Sequence, residues 1–385
     1  MKVCFFSHSA GQNGAERSLI ELITGLQIIG VECHVFLPKR GPLHKRLSEL
    51  KIPFQIFFYP RWMRREGESG ILGRIVRTVL SMICSLFLAF IMARKRYDIV
   101  YTNTSTICIG ALTARILRLP HIWHIREFGY ADQRLVFDIG TKVSGMIMNK
   151  FTSVCVTNSY AVSAAYKNVF PENKIRTVYN PVVISGVDIA QDRTALRRSG
   201  EILNCIVVGA LNKHKGQDDA IMAVAKLKQI GIGVQLVIVG DSKKKQYKDY
   251  LNSLVINNDV SDRVIFAGHI DNPYPLINSS DLLLVCSRSE AFGRTTVEGM
   301  LLKKPVIGTD SGGTVELIRE GFNGFRYAFG DYNDLASKLK ILYDDPIASR
   351  EIGENGYNWV KDRFTVDMHV SKIFSILNEV VTGKH

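Results

Sequence analysis

Glu290 and Glu298, with seven residues between them, are the acids from which a chemical reading of this chain starts. They lie in the run Ser287-Arg-Ser-Glu-Ala-Phe-Gly-Arg-Thr-Thr-Val-Glu-Gly-Met-Leu-Leu302. The apolar stretch before it, Asp281-Leu-Leu-Leu-Val-Cys286, has the continuous hydrophobicity of a parallel strand buried on both faces. Ser-Arg-Ser-Glu ends that strand, Ala291-Phe292-Gly293 turns the chain, and a helix is expected from Arg294. Glu290 then sits in the loop at the carboxyl end of a strand, and Glu298 about two helical turns further on. A helix start offers backbone N–H groups and the positive end of its dipole to an anion. A diphosphate suits that start. One carboxylate can accept both hydroxyls of a ribose diol while the other reaches a hexose, so the combination suits a nucleotide-sugar.

Other stretches carry compatible chemistry. Cys205-Ile-Val-Val-Gly-Ala210 reads as a buried strand, Leu211-Asn-Lys-His-Lys-Gly216 as the loop after it, and Gln217 onward as helix. A lysine just before a glycine at such a turn can set its ammonium on a diphosphate. Val234 to Val239 is a further strand turned by Gly240, and Val264-Ile-Phe-Ala-Gly-His269 is a short one. Near the start, the strand Lys2 to His8 leads through Ser9-Ala-Gly-Gln-Asn-Gly14 into a helix from Ala15 to about Ile29. The spacing Gly11-x-x-Gly14 departs from Gly-x-Gly-x-x-Gly, which argues against a nicotinamide enzyme. His121-Ile-Trp-His-Ile-Arg-Glu127 is an aromatic, basic strand end.

These stretches resemble one known family. Glu290-Ala-Phe-Gly293 and Glu298, followed by Pro305-Val-Ile-Gly-Thr-Asp-Ser-Gly-Gly313, resemble the Glu-x7-Glu signature of retaining glycosyltransferases of family 4, which have the GT-B fold. Gly14-Ala-Glu-Arg17 is similar to the family's Gly-Gly-Ala-Glu-Arg loop, with Gly14 the clean match. Lys215 and Gly216 match the end of the family's Val-Gly-Arg-Leu-x-x-x-Lys-Gly, but Ala210 stands where its arginine should be. Lys213, Arg294 and Lys243 are the candidates to supply that missing cation. The resemblance implies a donor diphosphate held near Gly14, Lys215, Arg294 and the Ala291-Phe292-Gly293 turn, with ribose on Glu298. It further implies sugar hydroxyls on Glu290, His124 against the sugar's other side, Gly240 near the donor site, and the nucleobase beside His269 and Ile270. His124, Lys215 and Glu290 become the catalytic candidates, Arg126 and Glu127 the acceptor-side ones, and Glu316 is open between holding a turn and touching ligand.

The elements that must position these residues are legible as alternating strands and helices. Val31–Leu37, Phe54–Phe58, Asp98–Asn103, His121–Ile125, Ser153–Thr157 and Ile175–Tyr179 read as strands with helical patterns between them, the alternation of a parallel sheet covered on both faces. Residues 184–200 lose apolar periodicity and read as a linker, and a second winding begins at Asn204. Thr365 to Val381 carries Val366, Val370, Ile373, Phe374 and Leu377 at helical spacing. At 385 residues the chain suits two domains. Its excess of 49 basic over 36 acidic residues, +13, favours an anionic partner. No Cys/His spacing, nucleic-acid motif or basic tail accompanies that charge, so nucleic acid is not expected. Seven scattered cysteines without Cys-x-x-Cys fit buried free thiols in a reducing cytosol. The first residues hold too short an apolar run for a signal peptide. Thr78 to Ala93 is uncharged, flanked by Arg74, Arg77 and Arg94-Lys-Arg96. Sixteen residues fall short of the roughly twenty a spanning helix needs, leaving core helix and membrane-surface helix as the main readings, with the arginines favouring the surface.

The expected fold is therefore α/β, of GT-B type: two Rossmann-like parallel-sheet domains facing a central cleft, residues 1–184 and 201–362, with the helix in 363–385 crossing back to the first. The resemblance implies retaining, metal-independent transfer of a hexosyl group from a nucleoside-diphosphate sugar to a glycan or lipid-linked acceptor, in cell-surface polysaccharide synthesis. No cofactor beyond the donor is expected; there is no Asp-x-Asp to hold a divalent metal. The expected location is cytoplasmic and peripheral, on an anionic inner membrane leaflet. Two other readings stay open: a GT-B epimerase or hydrolase of nucleotide-sugars, and a non-catalytic GT-B scaffold.

Overall fold

The computed structural model describes residues 1–68, 70–130, 134–188, 197–198, 200–242 and 245–383. Lys243 and the stretch 189–196 lie outside the described residues. The chain divides into two units, Met1–Pro181 with Thr365–His385, and Val182–Phe364.

In the first unit the strands are β1 (Lys2–Ser7), β2 (Glu32–Leu37), β3 (Phe54–Ile56), β4 (Met63–Arg65), β5 (Ile99–Asn103), β6 (His121–Ile125), β7 (Leu135–Phe137), β8 (Val154–Thr157) and β9 (Ile175–Thr177). Seven of them form a parallel sheet in the order β3-β2-β1-β5-β6-β8-β9. β1 is central, pairing Val3 with Cys33 on one side and with Ile99 on the other. Its residues 3–7 are all buried, as expected of a strand covered on both faces. Leu19, Leu22, Ile23 and Leu26 recur at helical spacing along Gly14–Ile28 and pack with Val370, Ile373 and Leu377 of the carboxyl-terminal helix Val366–Val381 on one face of the sheet. A Cβ on Gly25 would strike Val370, so glycine sets how closely those two helices approach. On the other face, Cys84, Leu88 and Met92 of the helix Ile71–Ala93 pack with Ile109 and Ala114 of the helix Ile109–Leu117.

The second unit holds β10 (Leu203–Val208), β11 (Val234–Val239), β12 (Val264–Gly268), β13 (Leu282–Val285), β14 (Val306–Thr309) and β15 (Phe325–Tyr327). They form a second parallel sheet, ordered β12-β11-β10-β13-β14-β15. Its core joins Leu203, Cys205 and Val207 to Ile221 and Val224 of the helix Gln217–Gln229 and to Leu335 and Leu339 of Tyr332–Asp344.

Two elements differ from the sequence reading. β4 and β7 form a separate antiparallel pair. The helix expected over 78–93 spans 23 residues from Ile71, because Arg77, whose charge seemed to end the apolar run, is neutralised by a bidentate pair with buried Asp138. It is also no ordinary core helix, since its largest apolar side chains point outward.

Candidate active site

In the second sheet, the chain leaves β10 toward β11 on one side and later returns through β13 to build the other. Between β10 and β13 the strand order reverses, and in open parallel sheets ligands bind outside the carboxyl ends of the strands at such a point. The loop after β10 carries Lys215 and the loop after β13 carries Glu290, and Lys215 Nζ donates to Glu290 Oε1 at 2.5 Å. Burial alone would raise the Glu290 carboxyl, but the Lys215 charge, its hydrogen bond and one from Ser287 outweigh it, holding Glu290 below its ordinary value. Both side chains keep some solvent access, 33% for Lys215 and 19% for Glu290.

Glycines let these loops meet. Gly216 is left-handed at φ 62°, and a Cβ there would collide with the Cys286 carbonyl. Arg288 N donates to His214 O at 2.8 Å, tying the two loops together. Behind them, Thr309 Oγ1 donates to Ser287 O at 2.5 Å and Gly313 N to Glu290 O at 2.7 Å. The acid loop is thus fixed from below by the residues after β14. The helix Arg294–Leu301 starts at Gly293, φ 90°, without a side-chain cap. One turn on, buried Glu298 accepts from Arg294 Nε at 3.1 Å and from Tyr274 Oη at 3.1 Å.

The first sheet reverses its order between β1 and β5. Here the loop after β1 brings His8 and Ser9 to Glu16, whose carboxylate is wholly buried. Glu16 Oε1 accepts from Ser9 Oγ and lies 3.3 Å from His8 Nε2. Burial lowers His8 to about 4 despite the nearby acid, so it is neutral at pH 7. Arg126 follows β6: its Nε donates to Asn103 Oδ1 at 2.7 Å, one terminal nitrogen donates to Asn180, and the other lies 3.2 Å from His124 Nδ1. Tyr101 Oη is 2.5 Å from the same His124 nitrogen. A guanidinium only donates, so His124 Nδ1 must accept and the ring proton rests on Nε2. Burial, with the Arg126 charge, holds His124 well below its ordinary value. Glu127 is spent on the loop after β5, accepting from the Ser105 backbone N–H, from Ser105 Oγ at 2.6 Å and from Arg126 N at 3.2 Å. In that loop Thr104 is left-handed at φ 80°, held by Trp123 Nε1 donating to its carbonyl at 2.8 Å.

Comparison with known proteins now decides the family. A family model described as "Glycosyltransferase Family 4" matches residues 12–185, and one described as "Glycosyl transferases group 1" matches 188–359. An uncharacterized glycosyltransferase of Methanocaldococcus jannaschii is 30% identical over 276 residues, covering 71% of this chain and 73% of that protein. The chain belongs to the GT-B glycosyltransferases. A capsular polysaccharide biosynthesis glycosyltransferase of Staphylococcus aureus, CapM, is 26% identical over 285 residues, 70% of this glycosyltransferase and 73% of that protein. The crystal structure of Anabaena HepE in complex with UDP superposes with a TM-score of 0.80 at 24% identity, covering 98% of this chain and 100% of that one.

Within the second unit, the glycosyltransferase brings Lys215, Glu290, Ala291, Phe292, Gly293, Arg294 and Glu298 to the loops at the switch point or the helix that follows. Gly240 lies beside them, its own would-be Cβ colliding with the Gly209 carbonyl. Phe292 is buried against Phe364 at 5.6 Å, so its side chain belongs to the packed interior. His269 follows β12 at the sheet edge, exposed beside Asp271 at 3.2 Å. Ala210 is exposed where β10 ends. Of the replacement cations, Lys213 is exposed and Arg294 is engaged with Glu298. In the first unit Gly14 opens the helix Gly14–Ile28, while His124 lies buried within β6 and grips Arg126 rather than standing at a surface. Sequence reasoning passed over Asn103, Asn180 and His369. His369, on the last helix, stacks on His124 at 6.0 Å, and only its distance in sequence hid it. The one available signal for Asn103 was its place at the end of a predicted strand.

Proposed function

We propose that this glycosyltransferase moves a hexosyl group from a nucleoside-diphosphate sugar to a glycan or lipid-linked acceptor with retained configuration and no metal, in cell-surface polysaccharide synthesis at the cytoplasmic membrane face. The Lys215–Glu290 pair at the switch point carries this reading. A pair that keeps this partial access to water contributes on the order of 1 kcal/mol. A diphosphate can therefore draw the ammonium off Glu290 at small cost, freeing the carboxylate to accept sugar hydroxyls. Lys215 and the uncapped helix start at Gly293 then face the leaving diphosphate, the charge a metal would otherwise neutralise. Glu298, steadied by Arg294 and Tyr274, suits the ribose diol.

In this reaction the bond from the anomeric carbon to the diphosphate oxygen breaks. The acceptor oxygen bonds to that carbon on the same face, and the acceptor proton passes to the departing diphosphate. The role of the capsular relative from Staphylococcus aureus supports the pathway, and the UDP in the Anabaena protein makes uridine nucleotides the first to try. Lys215→Ala and Glu290→Ala each lower turnover by roughly 100-fold, the scale of one lost charge-stabilising group. Near-normal transfer by both variants would remove the reading. The anomeric proton coupling of the product reports retention, and unchanged rates in EDTA report independence from metal. Ala210 favours one rival, a scaffold without turnover; calorimetry silent to all nucleoside diphosphates would select it.

A further inference from the structure

The helix Ile71–Ala93 is built inside out for a soluble protein. Its inward face carries Ser81 and Ser85, whose hydroxyls return to the helix's own carbonyls at 2.9 and 2.7 Å. Cys84, Leu88 and Met92 complete that face, and Arg77 bolts it to Asp138. The outward face holds ten exposed large apolar side chains, among them Leu72 at 75%, Leu86 at 61%, Phe87 at 61% and Phe90 at 66%. They recur every three or four residues, so they form one continuous stripe. Such a contiguous patch far exceeds what a soluble monomer leaves bare, and it marks an interaction surface.

Charge selects the occupant. From Ile71 to Tyr97 the chain has no acid, and beyond Arg77, which Asp138 neutralises, it has Arg74, Arg94, Lys95 and Arg96. Arg94 folds back over the Phe90 ring at 5.2 Å, and Arg64 and Arg65 on β4 are exposed ahead of the helix. A second copy docked across a two-fold axis would set these arginines against their equivalents. A bilayer accepts the apolar stripe and, where anionic, pairs with the cationic ends. The helix is long and apolar enough to cross a membrane. From Leu80 to Met92, however, its other face is packed into the core of its own unit, with Arg77 tied to Asp138 ahead of that stretch, and that unit cannot follow it into lipid. We propose that Ile71–Ala93 lies in the plane of an anionic bilayer surface, its outer stripe in the acyl boundary, so that the first unit is seated on the membrane. The inference deepens the lipid-linked acceptor reading, and vesicle binding tests it without catalysis.

The experiment is co-sedimentation of the full chain with phosphatidylglycerol-containing vesicles, alongside pure phosphatidylcholine vesicles. The wild type pellets with the anionic vesicles, and salt weakens it. Leu86→Ser/Phe87→Ser/Phe90→Ser together reduce binding by at least about tenfold. Arg94→Glu/Arg96→Glu reduce it and blunt the salt dependence, while Phe87→Trp shifts its emission to the blue on vesicle addition. Melting temperature and calorimetric nucleotide binding, both unchanged, show that each variant is folded. A wild type left in the supernatant, binding retained by the serine variant, or a dimer that the serine variant disperses would each overturn the proposal. Nucleotide binding without vesicle binding rejects the membrane seat alone; vesicle binding without nucleotide binding rejects the donor reading alone.

Discussion

At Ala210 the chain lacks a side chain that could reach a diphosphate, while its carbonyl is occupied by Asn212 Nδ2 at 3.2 Å and Gln217 Nε2 at 3.1 Å. The backbone is therefore already fixed, and only the cation is missing. Arg294 cannot replace it without leaving buried Glu298, whereas Lys215 leaves a partner that keeps some access to water. Restoring the charge with Ala210→Arg should tighten nucleoside-diphosphate binding by about tenfold, the value of one charge-assisted hydrogen bond to phosphate. Calorimetry at fixed salt measures it. Unchanged or weaker affinity would place the diphosphate elsewhere than beside β10. The same variant leaves stability nearly unaltered, because position 210 is exposed.

Among the elements, the strand-to-helix turns are the most constrained parts of the second unit. Gly216→Ala must pay for a left-handed backbone, about 1–2 kcal/mol, and for a Cβ driven into the Cys286 carbonyl. Gly231 is also left-handed, φ 76°, but open space surrounds its would-be Cβ. Gly231→Ala should thus cost about 1 kcal/mol in urea unfolding and Gly216→Ala at least twice that, with nucleotide binding lost only in the latter. Equal costs would show that the two loops are not pinned together there. The strands of both sheets were legible because parallel strands covered on both faces are uninterrupted apolar runs. The pair β4 and β7 was not, for Met63-Arg64-Arg65 and Leu135-Val136-Phe137 are too short to carry a pattern and lie far apart in sequence. The helix Ile71–Ala93 was read short for a related reason: the carboxylate that neutralises Arg77 lies 61 residues away, beyond any local window. The site divides the same way. Lys215, Glu290 and Glu298 belong to loops or helix starts whose chemistry is local, but Asn103, Asn180 and His369 acquire meaning only when the fold gathers them round Arg126 and His124.

For the whole molecule, the two units should respond differently to acid. His8, His34, His121, His124 and His369 all belong to the first unit, His8 half-buried and the other four buried. Burial lowers His8 and His34 to about 4 and His121 and His369 to about 3, and it holds His124 well below its ordinary value. Between those values and the ordinary 6.5, the unfolded chain binds protons that the folded unit refuses. Stability from these groups is therefore complete above pH 6.5 and is lost as pH falls below it, by about 1.4 kcal/mol per pH unit for each neutral imidazole. A domain holds only about 5–15 kcal/mol in all, so one to two pH units acting on several histidines suffice to unfold the first unit. Trp62 and Trp123 stack at 5.7 Å in the first unit, and Trp359 lies in the second. Trp359→Phe therefore reports the first unit alone, and Trp62→Phe/Trp123→Phe the second. The first reporter should show an acid transition near pH 5, well above that of the second, and His121→Gln should move it to lower pH by removing one imidazole that must be charged. A single transition shared by both reporters would mean that the buried imidazoles do not govern which unit yields to acid.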